Sequence, residues 1–235
     1  NELGYKKMVI LAPNYQAGRD AVAGFKRAYK GEIAEEIYTK LDQSDFSVEL
    51  ARIRALNPEA IFQFHPGGAG INLTKQFANS GLSEKIRMIT PIYSMDDRML
   101  AATGTASKGF YLSSLWSADL DNAQNKHFVE AFTNAYKRPP TAYAAQAYDT
   151  ANLIASALKA VNGDVTGRAD DFRNALRKAD FPTVRGKFKF GPNQHPIQDW
   201  YLLHIEAGPD GKLVYKNQKV LARDHTDVHA ADCKM

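Results

Sequence analysis

One pattern repeats through the first 115 residues: a short apolar run, a loop of small and polar residues, then a segment whose apolar positions recur at helical spacing. "MVILAP" (8–13) leads through "NYQAG" into "RDAVAGFKRAYKG", where Ala21, Val22, Phe25 and Ala28 share a helical face and Gly31 supplies a stop. "EEIYTKL" leads through Ser44 or Asp45, either a suitable N-cap, into "FSVELARIRALN", with Val48, Ile53 and Leu56 on the expected buried side. Pro58 ends that helix, "EAIFQF" starts a third strand, and "HPGGAG" is its loop, with a helix expected over 71–80 and Gly81 at its C-terminus. "RMITPIY" (87–93) with "MDDRMLAAT" makes a fourth unit, and "KGFYLSSL" (108–115) a fifth strand. Such alternation predicts an α/β fold: a doubly wound parallel sheet with right-handed crossovers and helices on both faces.

The rhythm changes after Leu120. "DNAQNKHFVEAFTNAYK", "TAYAAQAYDTANLIASALKAV" and "RADDFRNALRKA" read as three consecutive helices, the first two separated by the breaker "RPP". Phe128, Phe132 and Tyr136 on one, and Tyr148, Leu153, Ile154, Ala157 and Leu158 on another, form apolar faces that are expected to be buried. Either these helices cover a second sheet or they pack on the first. "TVRGKFKFGPNQHPIQDWYLLHIEA" alternates as strands joined by a Gly-Pro-Asn turn, and "GPDGKLVYKNQKVL" continues as a hairpin. "NELGYKKMVIL" reads as the tail of a helix closed by Gly4 before a strand, which leads to the expectation of a C-terminal part of a longer protein.

Composition narrows the partners. The net charge of +4 is spread over 30 basic and 26 acidic residues without a block of five like charges, so nucleic acid is not an expected partner. Apolar runs are far shorter than the ~20 residues a bilayer span needs. No charged-then-apolar leader stands at Asn1, so an export signal is expected to have been removed or to lie outside this sequence. Cys233 alone cannot form an internal disulfide; it is a free thiol or pairs with a thiol elsewhere.

The loop "HPGGAG" invites a phosphate reading, but the residues refuse it. Counting from Gly68 and Gly70, the last position of a dinucleotide fingerprint is Leu73, and no Gly-Lys-Ser/Thr follows for a phosphate loop. Position then matters more than motif: ligands of open α/β sheets sit at the carboxyl ends of the strands, where helix N-termini offer free N–H groups. Either the glycines let a ligand approach the backbone, or they serve a tight turn that needs φ > 0. Tyr15, Gln16 and Ala17 after the first strand, His65, Pro66, Gly67 and Gly68 after the third, and Tyr93, Ser94 and Asp96 after the fourth would line one edge. Aromatic, hydroxyl and amide groups together suit a pocket for a small polar molecule.

Catalytic patterns such as G-x-S-x-G and H-E-x-x-H are absent, and Asp96/Asp97 and Asp170/Asp171 read as helix N-terminal acids. The chain is therefore read as a binder and not an enzyme, with no cofactor. His225, His229 and Cys233 stand at i, i+4 and i+8, which on a helix would suit zinc; at a chain end with little apolar periodicity they are assigned no metal.

"GYKKMVILAPNYQAGRDAVAGFK", "GFYLSSLWSADLDN", "FVEAFTNAYKRPPTAYAAQAYDTANLIASAL" and "TVRGKFKFGPNQHPIQDWYL" together resemble type I periplasmic substrate-binding proteins of ABC transporters, in the branched-chain amino acid (Leu/Ile/Val) branch. The resemblance implies two Rossmann-like lobes joined by three crossing strands, with a small solute captured between them by hinge closure and presented to an ABC permease in the inner membrane. It places 5–113 and 201–222 in the second lobe and 117–198 in a first lobe lacking its N-terminal part, and leaves 223–235 as a tail. It also implies a periplasmic, monomeric protein.

Carried over onto this sequence, Tyr15 matches the family's cleft tyrosine and His65 to Ala69 its loop after the third strand. Ser94 stands where amino-acid binders place an acid for the ammonium, with Asp96 the nearest carboxylate. The expected ligand is a small carboxylate, either a branched-chain or aliphatic amino acid or an aromatic acid, and the family's own carboxylate site falls in the lobe segment absent here. Trp116, Tyr143 and Gln146 are further cleft candidates whose alternative is core or hinge packing. A ligand-sensing domain of a receptor or regulator would share the fold.

Overall fold

The structure, a computed structural model, describes residues 1–233. The chain divides into two compact units, one of Asn1–Ser113 with Leu203–Lys216, the other of Ser114–Leu202 with the chain from Asn217 onward.

In the first unit, strands β1 (Lys7–Pro13), β2 (Glu32–Thr39), β3 (Ala60–Gln63), β4 (Arg87–Pro91) and β5 (Tyr111–Ser114) pair in parallel in the order β2-β1-β3-β4-β5. Strand β7 (Pro196–Ala207) continues the sheet beside β5. The connection from β1 runs outward to β2, whereas the next returns to β3 on the other side of β1, so the order reverses between β1 and β3. Met8, Ile10, Ala12, Ala60 and Phe62 form one buried cluster with Val22, joined by Ala21 and Phe25 of helix α1 (Gln16–Ala28). The alternating Val9, Leu11 and Ile61 are equally buried, so both faces of the sheet are covered. Helices α2 (Ser47–Leu56), α3 (Gly67–Asn79) and α4 (Asp97–Thr103) complete the crossovers.

Several boundaries differ from the expectation. Helix α1 starts at Gln16 and ends at Ala28, before Gly31. Helix α2 turns its buried stripe to Leu50 and Ile53, with Phe46 as N-cap residue also buried, and Val48 is 67% exposed. Its weak periodicity, with Val48 two positions before Leu50, did not separate the two faces. Asp45 does not cap it; its carboxylate accepts from Ser47 N at 2.9 Å. Helix α3 begins at Gly67, four residues ahead of the apolar positions that signalled it.

The second unit holds the three expected helices, α5 (Ala123–Tyr136), α6 (Ala142–Ala160) and α7 (Ala169–Lys178). Asn122 caps α5 through Asn125 N (2.8 Å) and Thr141 caps α6 through Ala144 N (3.0 Å), side chains that accept from otherwise orphaned N–H groups. Strand β6 (Phe188–Phe190) pairs antiparallel with the start of β7, and β8 (Leu213–His225) pairs with β7. Asp149 of α6 is buried and accepts from Arg185 Nε (2.7 Å), Thr183 Oγ1 (2.7 Å) and Val184 N (2.9 Å), while Arg185 Nη1 donates to Gln198 Oε1 (2.9 Å). One carboxylate thus ties helix, loop and strand together. The expected burial of the apolar faces is only partial: Phe128 and Ala157 are buried, but Tyr136, Tyr148 and Ile154 are exposed.

The C-terminal histidines do not share a helix. His225 ends β8, and the following turn spans only Ala230–Asp232, so the i, i+4, i+8 spacing is not realised as one face.

Candidate functional site

The carboxyl ends of β1, β3 and β4 lie at one edge of the first unit's sheet, and the switch between β1 and β3 falls there. Tyr15, the N-cap residue of α1, is half-buried and stacks on Phe64 with ring centroids 6.4 Å apart, so the loops after β1 and β3 are joined by an aromatic pair. Gln16 and Ala17 are exposed, and Gln16 Nε2 donates along the helix to Asp20 Oδ1 (2.8 Å). Pro66, Gly67 and Gly68 are exposed.

The glycines of "HPGGAG" separate into distinct tasks. Gly67 has φ +68°, the conformation that turns the chain from β3 into α3. A Cβ on Gly70 would lie 2.0 Å from His65 O, so a side chain there would push α3 off the strand end. Close packing of helix on strand, rather than the approach of a ligand, explains Gly70; its place inside α3 could not be recognised while the helix was expected to begin at Ile71.

Beneath this edge runs a buried polar belt. His65 is 0% exposed. Its Nδ1 is 3.2 Å from Gln63 Oε1 and its Nε2 3.0 Å from Thr39 Oγ1, while Gln63 Nε2 donates to Thr90 Oγ1 at 3.0 Å. Because Gln63 Oε1 can only accept, Nδ1 carries the proton, and Nε2 faces the Thr39 hydroxyl, which also lies 3.1 Å from Lys40 O as its donor. Burial pushes the imidazole down to about 4, so it is neutral at physiological pH. Phe46 meets the ring edge-on at 5.5 Å. His65 therefore faces into the protein and braces the loop from below. The partners Thr39, Gln63 and Thr90 carry a faint sequence signal, a glutamine inside the apolar run "IFQF".

After β4, a short 3-10 turn covers Ile92–Ser94, with Tyr93 half-buried and Ser94 buried. The Ser94 hydroxyl has no hydrogen-bond partner among the described residues. Asp96 is the N-cap of α4: Oδ1 accepts from Arg98 N and Met99 N (3.0 Å each), and Oδ2 from Arg98 Nε (3.3 Å) and Nη2 (2.9 Å). Both carboxylate oxygens are thus committed. By contrast, α1 and α3 have neither a side-chain cap nor an acid in the first turn. Their N-terminal N–H groups and dipoles favour negative charge at the β1/β3 switch.

The other three candidates belong to the second unit. Trp116 is buried; its Nε1 donates to Asn125 Oδ1 (2.6 Å), and Asn125 Nδ2 reaches the carbonyls of Ser117, Ala118 and Leu120. That packing accounts for the tryptophan. Tyr143 is exposed and Gln146 half-buried in the first turns of α6, with Gln146 Nε2 donating to Ala142 O at 3.4 Å.

No curated protein matches the sequence. Among solved structures, the chain is similar to a solute-binding protein of an ABC transporter from R. palustris in complex with benzoate, with 34% identity, a TM-score of 0.89, and coverage of 100% of this chain and 63% of that one. It is also similar to a solute-binding protein from Rhodopseudomonas palustris BisB5 in complex with 3,4-dihydroxybenzoic acid (33% identity, TM-score 0.85, 97% of this chain and 63% of that one). An ABC transporter substrate-binding protein from Sphaerobacter thermophilus shares 29% identity at a TM-score of 0.86, over 94% of this chain and 62% of that one. The chain thus spans less than two thirds of the length of these relatives. The family model for periplasmic binding proteins matches residues 1–212. With its doubly wound sheet and those neighbours, the chain belongs to the periplasmic binding protein family and has the type I fold of the solute-binding proteins of ABC transporters.

Proposed function

We propose that the complete protein is the solute-binding component of an ABC importer and captures a small carboxylate that carries no ammonium group, an aromatic acid in preference to a branched-chain or aliphatic amino acid. The commitment of Asp96 carries this reading: its two oxygens accept four hydrogen bonds from Arg98 and Met99, and Ser94 beside it is neutral. An ammonium group would have to strip the N-cap of α4 to gain a counter-charge. The uncapped α1 and α3 N-termini weigh in the same direction. Relatives at 34% and 33% identity hold benzoate and 3,4-dihydroxybenzoate.

In this reading Tyr15, Pro66 to Gly68 and Tyr93 form the first unit's share of the ligand wall. The protein works in the periplasm as a monomer, delivers its ligand to an inner-membrane ABC permease and performs no chemistry. Residues 5–113 with 201–222 make the second lobe, 117–198 the part of the first lobe present here, and 223–235 a tail. The contact boundaries at Ser113 and Leu202 are in keeping with the first two spans, whereas the chain from Asn217 onward groups with Ser114–Leu202; the exposed apolar side of α5 and α6 is the kind of surface a further sheet covers. No described helix is long and apolar enough to cross a membrane.

Tyr15→Ala removes the ring that stacks on Phe64. In the complete protein it is expected to weaken benzoate binding about tenfold or more, ~1.4 kcal/mol, and to move the melting temperature by no more than about 3 °C, because the ring is half-buried at an edge. Isothermal calorimetry checks the first and scanning calorimetry the second; unchanged affinity would remove Tyr15 from the ligand wall.

A further inference from the structure

Tyr215 stands on β8, two residues before the chain leaves the first unit. Its hydroxyl donates to Met95 O at 2.5 Å, across 120 residues of sequence. Met95 is fully buried and sits between the 3-10 turn Ile92–Ser94 and the Asp96 cap, so its carbonyl lies in the middle of the β4–α4 loop. Other contacts along the loop run from Met95 N to Ile92 O (3.1 Å) and from the Thr103 hydroxyl to Met95 Sδ (3.9 Å), while Asp96 fixes the first turn of α4.

We infer that Tyr215 is a positioning residue for ligand binding, its hydroxyl pinning the loop that carries Tyr93 and Ser94 to the strand by which the chain leaves the unit. This rests on the proposed function, because it assumes that the loop forms part of a ligand wall. A loop pinned in the ligand-free protein has less freedom to lose on binding, which is the way a residue that need not touch ligand sets affinity. The phenol is also kept as a donor: burial first, then the Asp97 and Asp96 carboxylates, hold its pKa well above the usual tyrosine value. Sequence alone offered no hint of this, as Tyr215 occupies an ordinary alternating position in "LVYKNQ".

The test uses the complete protein with benzoate as probe. Tyr215→Phe keeps the ring and deletes the donor, and is expected to weaken binding about fivefold to tenfold, the scale of one hydrogen bond. Replacing Tyr215 with ring-fluorinated tyrosine keeps the hydroxyl and is expected to hold affinity within about twofold of wild type. With carbonyl-labelled methionine, the Met95 resonance should shift in Tyr215→Phe and keep its place in the fluorinated protein. A Tyr215→Phe protein that binds benzoate as the wild type does would overturn the inference while leaving the proposed function intact; so would a fluorinated protein as weak as Tyr215→Phe. Wild-type protein that binds no aromatic acid would overturn the proposed function and this inference together.

Discussion

Asp149→Ala is expected to destabilise the second unit by about 3–5 kcal/mol, the cost of leaving a buried charge without its partner. The buried Arg185 guanidinium would lose its 2.7 Å contact to Asp149 Oδ2, and Val184 N and the Thr183 hydroxyl would lose their acceptor. Arg185 would keep only Gln198 and the face of Phe188, 4.5 Å from its Cζ. Both tryptophans, Trp116 and Trp200, lie in this unit. Urea unfolding followed by tryptophan fluorescence therefore reads its stability separately from that of the first unit, where a single transition for the whole chain would mislead. The double variant Asp149→Leu with Arg185→Met, which removes both charges, is expected to recover a large part of the loss. If Asp149→Ala costs less than about 1 kcal/mol, the pair is not the tie between α6, the 183–188 segment and β7 that its geometry indicates.

The second large effect is a pH dependence in the first unit. His65 titrates at about 4 when folded because burial opposes its charge, against about 6.5 when unfolded. Between these values the unfolded chain binds the extra proton, so stability rises with pH there. The contribution is complete above about 6.5 and is lost as pH falls through the folded value; at pH 4.5 the loss is roughly 2–3 kcal/mol. Carboxylates titrate in the same range, so the comparison is with His65→Asn, which cannot take up the proton. Far-UV circular dichroism in urea at pH 7.5 and 4.5 should show a steeper fall in the wild type than in the variant. Equal slopes would mean that His65 is not held neutral by burial.

Much of this architecture was legible in the sequence because it rests on periodicity. Strand cores such as "MVILA" and "AIF" are buried on both faces and read as unbroken apolar runs, and α5 and α6 declare themselves through helical spacing and the breaker "RPP" between them. Local signals failed where burial is set by distant chain. Val48 looks like a core residue and is exposed; Phe46, outside the predicted set, closes over His65. The sheet edge that holds the candidate site was legible as a place, because carboxyl ends of parallel strands gather loops whatever their residues. Its inner arrangement was not. That His65 turns inward depends on Thr39 and Gln63, and that Asp96 is committed depends on the first turn of α4, both contacts that spacing does not reveal.

The ligand proposed for this wall is a carboxylate without an ammonium group. Isothermal calorimetry of the complete protein, freed of any retained ligand by unfolding and refolding, discriminates the alternatives with benzoate, 4-hydroxybenzoate and leucine as probes. Benzoate or 4-hydroxybenzoate should bind at least a hundredfold more tightly than leucine, about 2.7 kcal/mol. Leucine binding as tightly as either aromatic acid, or more so, would contradict that proposal.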